Sequence, residues 1–231
     1  MIPDIAERLL AKGLEGLKLE INEVQRSQLL QYLSVLTQWN KTFNLTAIRD
    51  YNDMVVHHLL DSFAIQPFVL EHSHGDTAEL GLFQGKGGSC LDIGSGAGVP
   101  GIPLAILNPH LQWTLIDSNG KKARFLRHVV RDAALQNVTV FQGRIEALEL
   151  EANAQRPLLV TARALASTEE IVQLVRHFLV PGDRLLLMKG TKGSEEAEQE
   201  YNGFQKFQVH QIKVPFLDAE RCVLTAQVIE S

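Results

Sequence analysis

Apolar positions along this chain change their period once. From residue 5 to about residue 66 they recur at helical spacing, as in Leu29, Tyr32, Leu33, Leu36 and Trp39, which fall on one face of a 3.6-residue helix. Asn22 followed by Gln25 has the form of a capping box, and predicts that this helix starts there. A second helix is predicted from near Asn52, carrying Met54, Val55, His58, Leu59, Ser62 and Phe63. Past residue 88 short apolar runs alternate with amphipathic ones. Strands are predicted at residues 89–93, 112–117, 138–142, 157–162 and 184–189, and helices at 102–108, 120–135 and 168–179. This alternation is the signature of a parallel sheet. The last two runs, 207–214 and 222–229, leave no room for a helix between them and are predicted to close the sheet as an antiparallel hairpin. Residues 71–88 are polar and glycine-rich and read as a loop. The chain thus divides into a helical cap (1–70), a linker (71–88) and an α/β domain (89–231). The acidic run Glu195–Glu200 reads as a solvated helix face.

Composition narrows the class. A chain of 231 residues with 45% hydrophobic and 21% charged residues is ordinary for a soluble globular protein. No apolar run approaches the ~18 residues of a membrane span, and Asp4 and Glu7 stand where a signal peptide carries positive charge. The expectation is a cytoplasmic protein with no membrane contact. Cys90 and Cys222 both fall in strand-like runs and read as core thiols of a reducing compartment. The net charge of −5 does not favour a nucleic-acid partner, but a local patch decides such binding more than the total.

The richest stretch is Leu91-Asp92-Ile93-Gly94-Ser95-Gly96-Ala97-Gly98-Val99-Pro100-Gly101, between the first predicted strand and the helix after it. Strand, glycine turn and helix hold a nucleotide-like cofactor at the carboxyl end of a first strand. Gly96, Gly98 and Gly101 fit the dinucleotide fingerprint G-x-G-x-x-G. Asp92 with Gly94, Gly96 and Gly98 fits equally the D-x-G-x-G-x-G loop of S-adenosylmethionine (SAM) methyltransferases. Either cofactor calls for an acid at the end of the second strand to accept hydrogen bonds from ribose hydroxyls, and Asp117 stands there. The element order favours the second reading: five parallel strands and a closing hairpin resemble the class I SAM-dependent methyltransferase fold, a Rossmann-like seven-stranded sheet, here preceded by a helical cap. A nicotinamide dehydrogenase would usually need a further substrate domain, and a non-catalytic RNA-binding module would not need the cofactor loop.

The acceptor is constrained by what the chain lacks. Methylation of exocyclic adenine amines is commonly served by an Asn/Asp-Pro-Pro-aromatic run after the fourth strand, where this chain has Thr161-Ala162-Arg163-Ala164-Leu165. Methylation at C5 of pyrimidines needs a nucleophilic cysteine, and both cysteines sit inside strands. An acceptor that is already nucleophilic remains, such as a ring nitrogen with a free lone pair; guanine N7 is one. Lys121, Lys122, Arg124, Arg127 and Arg131 crowd one helix just past Asp117, while Arg144, Arg163, Lys189 and Lys192 each follow a strand. They are expected to gather at the carboxyl edge, where phosphate contacts would make binding salt-dependent. The adjacent His57 and His58 cannot share a helix face as metal ligands do and read as structural, as do Trp39 and Phe43 as core or interface aromatics. His72 and His74 lack acidic or thiolate company, so no metal site is expected.

The segments Trp39-Asn40-Lys41-Thr42-Phe43-Asn44-Leu45-Thr46, His58-Leu59-Leu60-Asp61-Ser62, Asp92 through Leu104, Asp117-Ser118-Asn119-Gly120-Lys121-Lys122, Arg163-Ala164 and Leu187-Met188-Lys189-Gly190 together resemble the bacterial RsmG (GidB) family. The likeness spans residues 20–229, and the Val-Pro-Gly-Ile-Pro extension of the glycine loop is its most specific part. It implies transfer of a methyl group from SAM to N7 of a guanine in 16S ribosomal RNA, presented as RNA or as a small-subunit particle. It also implies that Gly94, Gly96 and Val99 line the methionine and ribose end, that Asp117 holds the ribose, that Ile145 and Glu146 border adenine, and that Arg163 completes the cofactor site. Lys121, Arg144 and Lys189 match positions that face RNA or the target base. His57 departs from the Arg or Lys that many members carry there, and the 71–88 segment is longer than the family pattern suggests.

Overall fold

The computed structural model describes residues 2–74, 88–150 and 156–230. Its centre is a seven-stranded sheet in the order β3-β2-β1-β4-β5-β7-β6, built from β1 (Ser89–Ile93), β2 (Gln112–Asp117), β3 (Val138–Gln142), β4 (Leu158–Arg163), β5 (Arg184–Lys189), β6 (Gln208–Ile212) and β7 (Arg221–Gln227). β1 to β5 pair in parallel, and β7 enters antiparallel between β5 and β6. A dinucleotide-binding sheet runs 3-2-1-4-5-6. The antiparallel β7 inserted before β6 is the order of the class I methyltransferase sheet, as the hairpin reading required.

Alternation along the strands assigns their two faces. Cys90, Trp113, Leu115, Leu159, Leu186, Met188 and Val223 point into one core layer, which the helices of the cap share. Leu91, Ile93, Ile116, Val160, Ala162, Leu187 and Leu224 point into the other. Both faces are covered, which is why these strands read as near-continuous apolar runs.

In the cap, α1 (Asp4–Gly16) and α2 (Glu23–Phe43) precede a helical stretch made of α3 (Tyr51–Met54), a π-helical turn (Val55–Leu60) and α4 (Asp61–Phe63), followed by α5 (Gln66–His74). The Asn22–Gln25 capping box forms in both directions. Gln25 then uses its amide Nε2 to cap the end of α6 (Gly101–Leu107), donating to Ile106 O at 3.0 Å. The other crossovers are α7 (Gly120–Asp132), α8 (Thr168–Val175) and α9 (Gly193–Ala197).

Two expectations shift. The linker expected from residue 71 begins later, because α5 continues to His74; the first glycine after Gln66 is Gly75, and nothing before it stops a helix. Residues 75–87 of that linker lie outside the described residues. The acidic run is not wholly solvated: Glu196 pairs with Lys189 Nζ at 2.8 Å and accepts from Thr168 N. Cys90 and Cys222 are buried and unbridged, as the strand placement required.

Candidate active site

The end of β1 is fixed by one carbonyl. Ile116 O accepts from both Gly94 N (2.8 Å) and Ser95 N (3.0 Å), turning the chain away from the sheet. Ser95 Oγ donates to Asp92 O at 2.8 Å and accepts from Ile116 N at 3.2 Å, so one buried hydroxyl ties β1 to β2. The left-handed backbone at Gly94 (φ 67°), Gly96 (φ 56°) and Gly98 (φ 91°) requires glycine. Gly101 has a different role: a Cβ there would lie 2.3 Å from Leu115 and 2.6 Å from Asp92, so its glycine permits close packing of α6 on the sheet. The motif aspartate works from beneath the loop. Asp92 is fully buried and accepts from Gly101 N at 3.1 Å. Burial pushes its carboxyl up to about 6, against the hydrogen bonds that stabilise the ionised form.

Asp117 closes the loop from the second strand. One carboxylate oxygen accepts from Gly96 N at 2.9 Å, and the other from Asn119 N at 2.8 Å. A carboxylate offers about four lone-pair directions, so two remain for a diol. Asn119 caps α7, its Oδ1 accepting from Lys121 N and Lys122 N. The cap supports the loop as well: Tyr32 on α2 donates from its buried hydroxyl to Ala97 O at 2.8 Å.

Around this corner lies an open cleft of about 590 Å³, lined by Gly94, Asp117, Asn119, Lys122, the Gly143–Glu146 segment, Ala164 and Leu165. Its size suits a nucleoside-containing cofactor. Ile145 is buried at the base of a short 3-10 turn, with Glu146 and Arg144 exposed beside it. A Cβ on Gly94 would meet the tip of Leu165 at 2.6 Å, whereas over Gly96 no described residue apart from its chain neighbours comes nearer than 3.7 Å. The loop therefore leaves space at Gly96 that a ligand can occupy. Carboxylates at Asp117 and Glu146 oppose the cations at Lys122 and Arg144, a balanced setting for a cofactor carrying both an amino acid and a sulfonium charge.

The sequence-derived residues separate into two groups. Gly94, Asp117, Arg144, Ile145 and Glu146 meet in the cleft, and Gly96 joins them through Asp117. Val99 is partly buried against the core beneath the loop, and Lys121 is exposed in the first turn of α7. Arg163 turns toward the cap: it donates to His57 O at 2.7 Å and pairs with Asp61 at 3.0 Å. Asp61, 1% exposed, also accepts from Arg221 Nε of β7 at 3.1 Å. Lys189 donates to Ala166 O and pairs with Glu196, whose carboxyl is held low because hydrogen bonds from Lys189 and Thr168 outweigh its burial. His58 packs beside Arg163; burial first, then that cation, lowers its imidazole to about 4.

Residues the sequence left unassigned complete the corner. Asn119 was detectable as a side-chain cap ahead of a helix. Leu165 and Tyr32 carry no local signal of their contacts, because their partners lie far along the chain; the same holds for the pairing of Asp61 beneath the cap.

A family profile described as rRNA small subunit methyltransferase G matches residues 25–225. Relatives named ribosomal RNA small subunit methyltransferase G match most of this chain. One from Xanthomonas campestris pv. campestris (strain 8004) is 42% identical over 219 residues, covering 95% of this chain and 93% of its own. One from Xanthomonas oryzae pv. oryzae (strain KACC10331 / KXO85) is 43% identical over 221 residues, covering 96% and 94%. One from Stenotrophomonas maltophilia (strain K279a) is 46% identical over 197 residues, covering 85% and 84%. With the glycine loop, Asp117 and the sheet order in place, the chain belongs to the GidB family of rRNA small subunit methyltransferases.

Proposed function

We propose that this protein transfers the methyl group of SAM to N7 of a guanine in the 16S RNA of the small ribosomal subunit. The observation that carries the reading is the cleft at the ends of β1, β2 and β3, where the glycine loop is tied to Asp117 opposite Ile145 and Glu146. When bound there, SAM supplies an electrophilic methyl on a sulfonium. Asp117 would hold the ribose hydroxyls through its free lone pairs, Ile145 and Glu146 would flank adenine, and the Gly94–Gly96 backbone would face the amino-acid end.

Transfer is an in-line displacement. The N7 lone pair would form the new N–C bond as the S–C bond breaks, and its electron pair would stay on sulfur as a neutral thioether. The positive charge passes to the purine, so no proton has to leave N7 and no general base is needed. The protein's part is to position the two reactants and exclude water, which supplies most of the acceleration in such a reaction. Lys121 and Arg144, both exposed beside the cleft, are suited to phosphate contacts. Incubation with labelled SAM and either naked 16S RNA or 30S particles, followed by nucleoside analysis, tests the reading. 7-Methylguanosine is expected; a different methylated nucleoside would overturn the acceptor and keep the cofactor.

A further inference from the structure

Phe43, the last residue of α2, is 39% exposed. Its ring is held from behind by Trp39, at a centroid distance of 5.2 Å and a tilt of 37°. Trp39 is wedged against α7, 5.9 Å from Phe125 and 5.3 Å from His128. At the other end of α7, Gln28 donates from Nε2 to Ala133 O at 3.0 Å. These contacts run α2 antiparallel to α7, with Gln28 beside its end and Trp39 beside its middle. Phe43, one turn further along α2, therefore lies toward the first turn of α7. There Lys121 and Arg124 are exposed and Lys122 enters the cleft.

Cations predominate around this ring. Residues 36–49 and 118–131 contain Lys41, Arg49 and all five cations of α7, and no Asp or Glu, in a chain of net charge −5; Asp132, at the far end of α7, is taken up by His128 and Arg131. An exposed ring set among cations is complementary to a base with its phosphate, because aromatic faces stack on unpaired bases while Lys and Arg follow the backbone. A hydrophobic protein partner would not call for those cations.

We propose that Phe43, backed by Trp39 and flanked by Lys121 and Arg124, is a stacking platform for an unpaired RNA base at the mouth of the cleft. The proposal rests on the RNA-methylation reading and assigns a surface to it. Trp39 fixes the ring before the RNA arrives, so little side-chain freedom is lost on stacking.

The test is filter binding of naked 16S RNA at one fixed salt concentration, with SAM titration on the same preparations. Phe43→Leu keeps an apolar side chain but has no π face; Phe43→Tyr and Phe43→Trp keep the face. Phe43→Leu should weaken RNA binding about tenfold, the loss of one stacked base, whereas the aromatic variants and SAM affinity should stay close to the unaltered protein. Undiminished RNA affinity in Phe43→Leu would overturn the platform. An equal loss of SAM affinity would also overturn it, because the effect would then belong to the cofactor loop. A loss seen with 30S particles but not with naked RNA would assign the face to a protein partner instead. The same assay is repeated with 30S particles, and no binding by the unaltered chain to either naked RNA or 30S particles would remove the RNA reading itself, and the platform with it.

Discussion

The two halves of the sheet's carboxyl edge differ in what their charged residues do. Over β1, β2 and β3 the charges are open: Lys122, Arg144 and Glu146 surround a cleft, and Asp117 retains lone pairs. Over β4, β5 and β7 they are engaged. Arg163 and Arg221 share the buried Asp61, and Lys189 pairs with Glu196. The open half can take ligands without breaking anything. The closed half fastens the helical cap to the sheet, since Asp61 and the His57 carbonyl belong to the cap and both arginines to strands. A basic residue near a strand end thus lines an open cleft in one half and is a rivet in the other.

Substitutions can break this contrast. On the open side, Gly96→Asp should lower SAM affinity by at least about 100-fold, because its side chain would enter the space a ligand needs. The left-handed backbone adds a stability cost of only about 1 kcal/mol. Calorimetric titration with SAM on a variant shown to be folded checks it, and retained affinity would remove the glycine loop from the cofactor site. On the closed side, Asp61→Asn should cost about 3 kcal/mol of stability, since it leaves two arginines facing a neutral amide. Denaturant unfolding measures this; a loss below about 1 kcal/mol would mean that the cap does not depend on the cluster.

His58 sharpens the comparison through pH. Its folded value near 4 lies below the ordinary 6.5, so the folded state binds fewer protons than the unfolded one in that window. Its contribution is fully present above pH 6.5 and is lost as pH falls toward 4, reaching about 3 kcal/mol. Asp92, raised from 3.8 to about 6, has the opposite slope and offsets part of the change. His58→Gln should therefore be less acid-sensitive than the unaltered chain when unfolding free energies are compared at pH 7 and 4.5. Equal sensitivity would contradict the buried neutral imidazole.

Lys189 gives the smallest effect and the finest distinction. Lys189→Ala and Glu196→Gln should each cost about 1 kcal/mol, as a partly exposed pair does. If Lys189 acts only through that pair, both variants should slow methyl transfer alike and leave SAM affinity intact. A rate loss confined to Lys189→Ala would instead put its ammonium on the RNA.

Much of this was legible in the sequence. Local signals predict the structure where the interaction is local: the Asn22–Gln25 box, the strand cores, the glycine turn and the aspartate closing the second strand all form. The open half of the site follows from them, because its residues sit within a few positions of strand ends. The closed half was not legible. Asp61 meets Arg163 across 102 positions and Arg221 across 160, and no periodicity records such a pairing. The same blindness hid Tyr32, which reaches the cofactor loop from 65 residues away.

On this division, ligands enter the open half while the closed half stays fastened. A crystal structure of the protein with S-adenosylhomocysteine tests it most directly. Adenine is expected beside Ile145 and Glu146, the ribose on Asp117, and Arg163 still paired with Asp61. A cofactor bound elsewhere, or Arg163 released from Asp61 to reach it, would contradict the division.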